Sequence, residues 1–516
     1  MTFQRTITPL GLLFAGIGSV IGSGWLFGAL YAAQIAGPAA VLSWIIGGAM
    51  MILIAFTFAE LGSAFPVAGG MVQFAEYSHG ALVSFMTGWM VWISSIAIAP
   101  VETMGLLQYT GNYIPHLVKK VGATTVLTGQ GIAAGAVVMF FMCVLNYHSA
   151  KWFSRSNTII TSLKLIVPIL TAIILITLDF HLSNYTATKT GGFMPMGWHG
   201  VLAALPLGGI IYSFIGSNTV LQLAGESKRP HFSIPLALIG SMVFCILLYV
   251  VLQIAFVGAL SPATLVNGWG HLTYAGDSGP FAGLLMAFGM AWFVLVIYGD
   301  AFISPFGTGL IYTASTARVT YGLSKIGFFP EYFKVLNKKG IPLRALIINY
   351  LVGLLLFLPF PGWQSMVGFI ISCFIVSYII GPIALIGLRK RRPEVHRPFR
   401  LPCVNVFAYF AFYACNLLIF WTGWTTLYRM MIAMSIGFIW FLVHAFRKDR
   451  TLFKRQWRSA GWIFPYLSGM LILSYLGTFG GGTGQLSFGF DFAVIAWFSA
   501  FIFFLAIRAL KYDHAC

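Results

Sequence analysis

Gly16-Ile17-Gly18-Ser19-Val20-Ile21-Gly22-Ser23-Gly24 lies inside the first long apolar run of the chain, between Pro9–Phe14 on one side and Trp25–Ile35 on the other. Four glycines and two serines in nine residues weaken a helix, since an interior glycine costs about 1 kcal/mol against alanine. In a bilayer an unwound backbone persists only where it is buried in protein or lines a polar cavity, because lipid satisfies no amide or carbonyl group. The stretch therefore reads as a discontinuous membrane helix that binds something at its break. A glycine face for close helix packing is the alternative.

Composition sets the surroundings of that stretch. With 59% hydrophobic residues, 8% charged and 47 phenylalanines in 516 residues, the chain falls outside the water-soluble class, where about a quarter of residues are charged. It reads as an all-α polytopic membrane protein. No short apolar segment with a small-residue cleavage site precedes the first span, so the N-terminus is expected to stay and serve as its own insertion signal. Six cysteines (Cys143, Cys245, Cys373, Cys403, Cys415 and Cys516) stand apart without a CxxC pair, which suggests neither a disulfide framework nor a metal site.

At about 20 apolar residues per crossing, fourteen spans are expected, at 9–35, 38–64, 81–109, 125–147, 154–178, 198–224, 233–259, 281–315, 342–359, 363–388, 404–426, 428–446, 460–478 and 490–510. Pro359, Pro361 and Gly362 divide the ninth span from the tenth, because proline stops one helix from running through the turn. A short hinge from Trp424 to Arg429 divides the eleventh from the twelfth.

Charge tests the count independently. With a cytoplasmic N-terminus, the inside segments hold 25 of the 30 lysines and arginines, among them Arg5, the run Arg389–Arg400, Lys338, Lys339, Arg450, Lys454, Arg455, Arg458 and Lys511. The outside keeps Lys119, Lys120, Lys189 and Arg429, and Lys164 falls within a span. This bias fits an even number of spans with both termini in the cytoplasm. It also accounts for the net charge of +18 through loops facing anionic lipid, so no nucleic-acid partner is expected.

The sixth span carries a second irregular stretch, Gly208-Gly209-Ile210-Ile211-Tyr212-Ser213-Phe214-Ile215-Gly216-Ser217-Asn218. Two breaks five spans apart are what an inverted repeat of five plus five helices produces. The two halves would be 9–178 and 198–388, forming one core at 9–388, with spans 11–12 at 404–446 and spans 13–14 at 460–510 outside it.

These residues resemble the amino acid/polyamine/organocation transporters. Ile21-Gly22-Ser23-Gly24 is similar to that family's substrate-carboxylate motif, and Pro66-Val67-Ala68-Gly69-Gly70 to the signature between its second and third spans. Leu223-Ala224-Gly225-Glu226-Ser227-Lys228-Arg229-Pro230 resembles the motif that ends the sixth span. Ala317-Arg318, Gly327-Phe328-Phe329-Pro330 and Gly340-Ile341-Pro342 resemble the loop between the eighth and ninth. The likeness covers residues 5 to 450, and Ala99-Pro100-Val101-Glu102 is most similar to the aspartate/glutamate transporter branch. The resemblance implies a LeuT-type inverted-repeat core, secondary transport of amino acids without a cofactor, and residence in a bacterial-type inner membrane among lipid. Proton-coupled symport of acidic or neutral amino acids is the function expected, with amino-acid exchange as the alternative.

Elementary chemistry supports the site residues that this resemblance implies. A half-helix starting near Ser23 aims free amides and a positive dipole end at a ligand carboxylate. Ile21, Gly22, Ser23 and Gly24 from the first break and Tyr212, Phe214, Gly216, Ser217 and Asn218 from the second form the expected substrate site. Phe214 and Trp25 are candidate aromatic gates, with ordinary packing as the alternative. The amide of Asn218 donates hydrogen bonds and repels no anion, which favours a neutral or acidic substrate over a cationic one.

Charges inside spans are costly and are functional candidates for that reason. Lys164 matches a lysine that in some family members stands where sodium-coupled relatives hold an ion; it is the expected proton carrier, against the alternative of a structural strut. Glu102 and Asp300 are the matching acids for proton coupling. Tyr298-Gly299-Asp300 hints at a membrane aspartyl protease, but Asp179, Asp277 and Asp491 lie at span ends, so the second mid-membrane acid is missing. With no HExxH or GxSxG in the spans, no enzymatic activity is expected. A channel, the remaining alternative, has no need of two broken helices.

Overall fold

Thr8 accepts a hydrogen bond from Gly11 N (3.1 Å) and Pro9 fills the first helical position, so helix α1 begins at the sequence's own start signal and runs Pro9–Val20. Ile21 is extended and Gly22 breaks the helix (φ −131°, ψ −140°) before α2, Ser23–Ala36. The computed structural model describes residues 7–67, 70–121, 124–148, 150–272, 279–337, 340–448, 457 and 459–510. Of the residues singled out above, Arg5, Ala68, Gly69, Asp277, Lys338, Lys339, Arg450, Lys454, Arg455, Arg458, Lys511 and Cys516 lie outside the described residues.

The chain continues through α3 (Ala40–Ala64), the short α4 (Gly70–His79), α5 (Ala81–Thr110), α6 (Gly129–His148), α7 (Ala150–Leu178) and the single turn α8 (Ser183–Thr186). The second break separates α9 (Gly197–Leu207) from a 3-10 segment (Tyr212–Ser217) and α10 (Asn218–Gln222), with a bend of 48°. Then come α11 (Pro230–Ala259), α12 (Pro280–Ala287), α13 (Ala291–Lys325), α14 (Leu343–Leu356), α15 (Trp363–Tyr378) and α16 (Ile380–Arg391). The last four are α17 (Val404–Trp421), α18 (Trp424–Lys448), α19 (Ile463–Leu476) and α20 (Phe490–Arg508).

This is a polytopic helical membrane fold. Among the described residues ten helices are long and apolar enough to cross a bilayer, eleven with the bent pair of the sixth span. One of the ten is the 42-residue run Ser23–Ala64, interrupted at Gly37–Ala39, where Gly37 takes positive φ (64°). The expected fourteen crossings are reached by dividing that run there, so that α1 and α2 form the first crossing, and by counting the shorter apolar helices α14 and α19.

Several boundaries differ from the sequence expectation, three of them at a turn or a strand. The eighth span is not one helix from 281: Gly289 (φ 72°) separates α12 from α13. The fourth span starts at Gly129 rather than 125, because Thr124–Leu127 pairs with Val118–Val121 as a two-stranded antiparallel hairpin, Val118 opposite Leu127. The turn between α17 and α18 falls at Gly423 (φ 81°), ahead of the expected hinge at Trp424–Arg429.

Packing sorts the spans by depth. Met366–Leu388 is enclosed throughout and most of Ala81–Thr110 is buried, which puts α5, α15 and α16 at the centre. α6, α18 and α20 leave most of their surface outward, carrying Phe140, Ile436 and Trp497, as lipid-facing helices do. α13 and α15 pack on α5, and α11 packs on α3 and α1. These contacts bring both breaks against the central helices. At one end of the bundle Ile7 N donates to Glu226 O (3.0 Å), and Arg389 donates twice to Glu60 (2.7 and 2.6 Å).

Candidate functional site

The two breaks meet directly. Ser19 Oγ donates to Gly216 O at 2.8 Å, and the backbones approach so closely that a Cβ on Gly216 would stand 2.2 Å from Ser19 O. Ending α1 early leaves carbonyls without amide partners, and side chains from other spans take them up. Lys164 Nζ donates to Gly18 O (3.2 Å), Tyr249 OH to Val20 O (3.4 Å) and Thr308 Oγ1 to Ile21 O (3.2 Å). On the second break Tyr378 OH donates to Ile215 O (3.2 Å), and Gly24 packs against Ser213.

All three expected ionisable residues converge here. Lys164 on α7 also donates to Thr308 Oγ1 at 2.7 Å, so Lys164, Thr308 and Ile21 O form a chain from α7 through α13 to the first break. Glu102 on α5 takes the amide of Ser23 on Oε2 (2.7 Å) and the hydroxyl of Tyr212 on Oε1 (2.6 Å). Gly22 makes room for it, since a Cβ there would lie 2.5 Å from Glu102 Oε1. Asp300 on α13 accepts from Trp25 Nε1 (3.1 Å) and Ser304 Oγ (3.0 Å). The three side chains are buried, and no ion pair joins them. Such groups persist inside spans only when hydrogen bonds and nearby opposite charge offset their desolvation.

The remaining expected residues have distinct surroundings. Asn218 Oδ1 accepts from Tyr312 OH (3.1 Å), while Asn218 Nδ2, buried, has no hydrogen-bond partner among the described residues. Ser217 Oγ lies 3.5 Å from Phe214 O, within its own segment. Phe214 packs edge-on to Trp44 and Tyr249, each at 5.7 Å, and Trp25 stacks on Phe281 at 5.4 Å. Sequence reasoning missed Trp363, whose Nε1 donates to Ser23 Oγ at 2.9 Å and whose ring meets Phe27, Tyr31 and Tyr212 at 5.3, 5.6 and 5.8 Å. It also missed Thr308 and Ser304. A tryptophan just after Pro361-Gly362 and hydroxyls one and two turns beyond Asp300 were the available signals. Among the described residues no cluster of three His, Cys, Asp or Glu suits a metal.

Comparison with known proteins is in keeping with this geometry. A family model described as amino acid permease matches residues 7–444. The chain is similar to the glutamate/serine transporter AimA of Bacillus subtilis (strain 168), 38% identical over 512 residues, covering 98% of this chain and 94% of that protein. It is 32% identical over 508 residues to the aspartate-proton symporter of the same organism, covering 98% and 96%. It is 26% identical over 459 residues to the branched-chain amino acid permease BcaP of that organism, covering 86% and 94%.

Proposed function

Because this chain belongs to the amino acid permease family, a family of secondary amino-acid transporters, we propose that it carries acidic or neutral amino acids together with protons across a bacterial inner membrane. The observation that carries the reading is the convergence of Lys164, Glu102 and Asp300 on the first helix break. The names of two relatives, a glutamate/serine transporter and an aspartate-proton symporter, support the substrate class and the proton. No catalytic reaction is assigned. Residues 9–178 and 198–388 act as two inverted repeats around the site, with 404–446 and 460–510 outside the core. Both termini are cytoplasmic, and pairing of Ile7 with the 226–228 loop supports one side for these two basic segments.

Each group then has a role. The substrate carboxylate takes the Ser23 amide at the start of α2, where the helix dipole favours an anion. The α-ammonium is held by carbonyls of Tyr212–Phe214, and the free donor of Asn218 faces the substrate side chain. Lys164 as an ammonium ties the end of α1 to α13 through Gly18 O and Thr308. On losing its proton it loses a donor and its charge, and the tie loosens. Proton occupancy thereby sets whether the first break is held or free.

Uptake of labelled L-aspartate, L-glutamate and L-serine into proteoliposomes with an alkaline interior tests the proposal. Accumulation above the external concentration that vanishes with a protonophore is expected, as is its loss in Lys164→Ala. Uptake that ignores the gradient and needs an amino acid inside would point to exchange instead. Gradient-driven accumulation by Lys164→Ala would remove that residue from the coupling.

A further inference from the structure

Helix α2 has fourteen residues and no side-chain cap from its own N-cap, Gly22. Its first amide would be an orphan donor, yet it is capped from another span: Ser23 N donates to Glu102 Oε2 at 2.7 Å. The same carboxylate receives Tyr212 OH at 2.6 Å and fills the space left by the missing side chain of Gly22. Trp363 Nε1 donates to the hydroxyl of the same Ser23 at 2.9 Å, and its ring meets Tyr212. A backbone amide at a helix start, a phenol and a glycine-lined hollow make a seat built for one carboxylate group. It is the seat that the transport reading gives to the substrate, and two carboxylates at one seat repel strongly out of water.

We propose that Glu102 is a tethered competitor for the substrate's α-carboxylate: the two take the Ser23 amide in turn, and Glu102 leaves the seat only as the neutral acid. One proton from the loading side forms an O–H bond on the Glu102 carboxylate as the amino acid arrives. That bond breaks when the amino acid departs, and the ionised side chain returns to Ser23 and Tyr212. No bond of the substrate changes. The ligand class follows: any amino acid with a free α-carboxylate competes, while α-amides and α-esters do not. Asp300 does not share this role, because its partners are the side chains of Trp25 and Ser304 rather than the backbone of the break.

The ionisable groups facing Glu102 are Lys164 on α7, Tyr212 on the 3-10 segment, Tyr249 on α11 and Tyr312 on α13, with Asp300 beyond Lys164. Lys164 spends its hydrogen bonds on Gly18 O and Thr308, so it balances the site's charge without holding Glu102 in place. The inference rests on the transport reading above, but it has its own test.

Binding of L-glutamate, L-aspartate and L-serine to the full-length protein in nanodiscs is measured across a pH series. Calorimetry in buffers of different ionisation enthalpy counts the protons. For wild type, affinity rises as pH falls, by up to about tenfold per pH unit while Glu102 is ionised, with about one proton taken up per ligand. Glu102→Gln loses both the slope and the proton uptake but still binds, and the α-amides bind neither protein. Wild-type binding without proton uptake, or an unchanged slope in Glu102→Gln, overturns the inference and leaves transport standing. The proton count in wild type decides the matter even if Glu102→Gln fails to fold. Failure of wild type to bind any of the three amino acids at any pH would instead sink the transport reading.

Discussion

Gly216 is the residue where the two breaks leave least room. A methyl group there would stand 2.2 Å from the backbone oxygen of Ser19, which cannot swing aside as a side-chain tip can. Gly216→Ala is expected to destabilise the protein by about 1–3 kcal/mol and to abolish uptake by pushing the breaks apart. Gly322 on α13 is the control: a Cβ there meets nothing within 4 Å, and alanine removes glycine's entropic penalty of roughly 0.5–1 kcal/mol in a helix. Melting temperature and uptake for the two variants check this, and equal behaviour would contradict the packing account. At this scale the sequence is informative where chemistry is local. Glycine density marks both breaks, and a charge in an apolar run marks Lys164 and Asp300. It is mute about which side chain reaches a break from far along the chain, as Glu102 reaches Ser23 across 79 positions. Trp363 and Thr308 it marks only by their neighbours, Pro361-Gly362 and Asp300, because their roles exist only once α15 and α13 are packed against the first break.

Between elements, one polar joint with several charge-assisted hydrogen bonds lies away from the site. Glu60, buried at the end of α3, takes two hydrogen bonds from Arg389 on α16 (2.7 and 2.6 Å), one from Leu401 N (2.8 Å), and lies 3.6 Å from Arg397. Removing the buried acid leaves two part-buried arginines without it, so Glu60→Ala should cost about 2–3 kcal/mol. The pair of half-buried Glu226 with exposed Arg318, at 3.9 Å, should cost less than about 1 kcal/mol in Glu226→Ala. Thermal unfolding in detergent compares them, and indistinguishable melts would refute the distinction. The elements themselves were legible from apolar run length and from proline, as at Pro359-Pro361-Gly362, where α14 and α15 separate. Single glycines that take positive φ inside apolar sequence were not. Gly289 and Gly423 look like any other small residue in a span until their backbone angles are known.

For the whole molecule, composition and the placement of 25 of 30 basic residues were enough to read a many-span membrane protein. The pairing of two broken helices was enough to read an inverted-repeat core, and the resemblance of the motifs around them implied a transporter. What a one-dimensional pattern withholds is the wiring between them: Lys164 to Thr308 to Ile21 O, and Ser23 to Glu102 to Tyr212. That wiring joins the ionisable groups to the same backbone the substrate is proposed to use, and under that proposal proton and substrate move together. The most direct test follows lumenal pH with a trapped dye while L-glutamate or L-aspartate is added to proteoliposomes that contain no amino acid. The account predicts that the lumen acidifies in step with uptake, and that neither flux occurs without the other. Uptake with no change in lumenal pH, occurring only when an amino acid is preloaded inside, would contradict it.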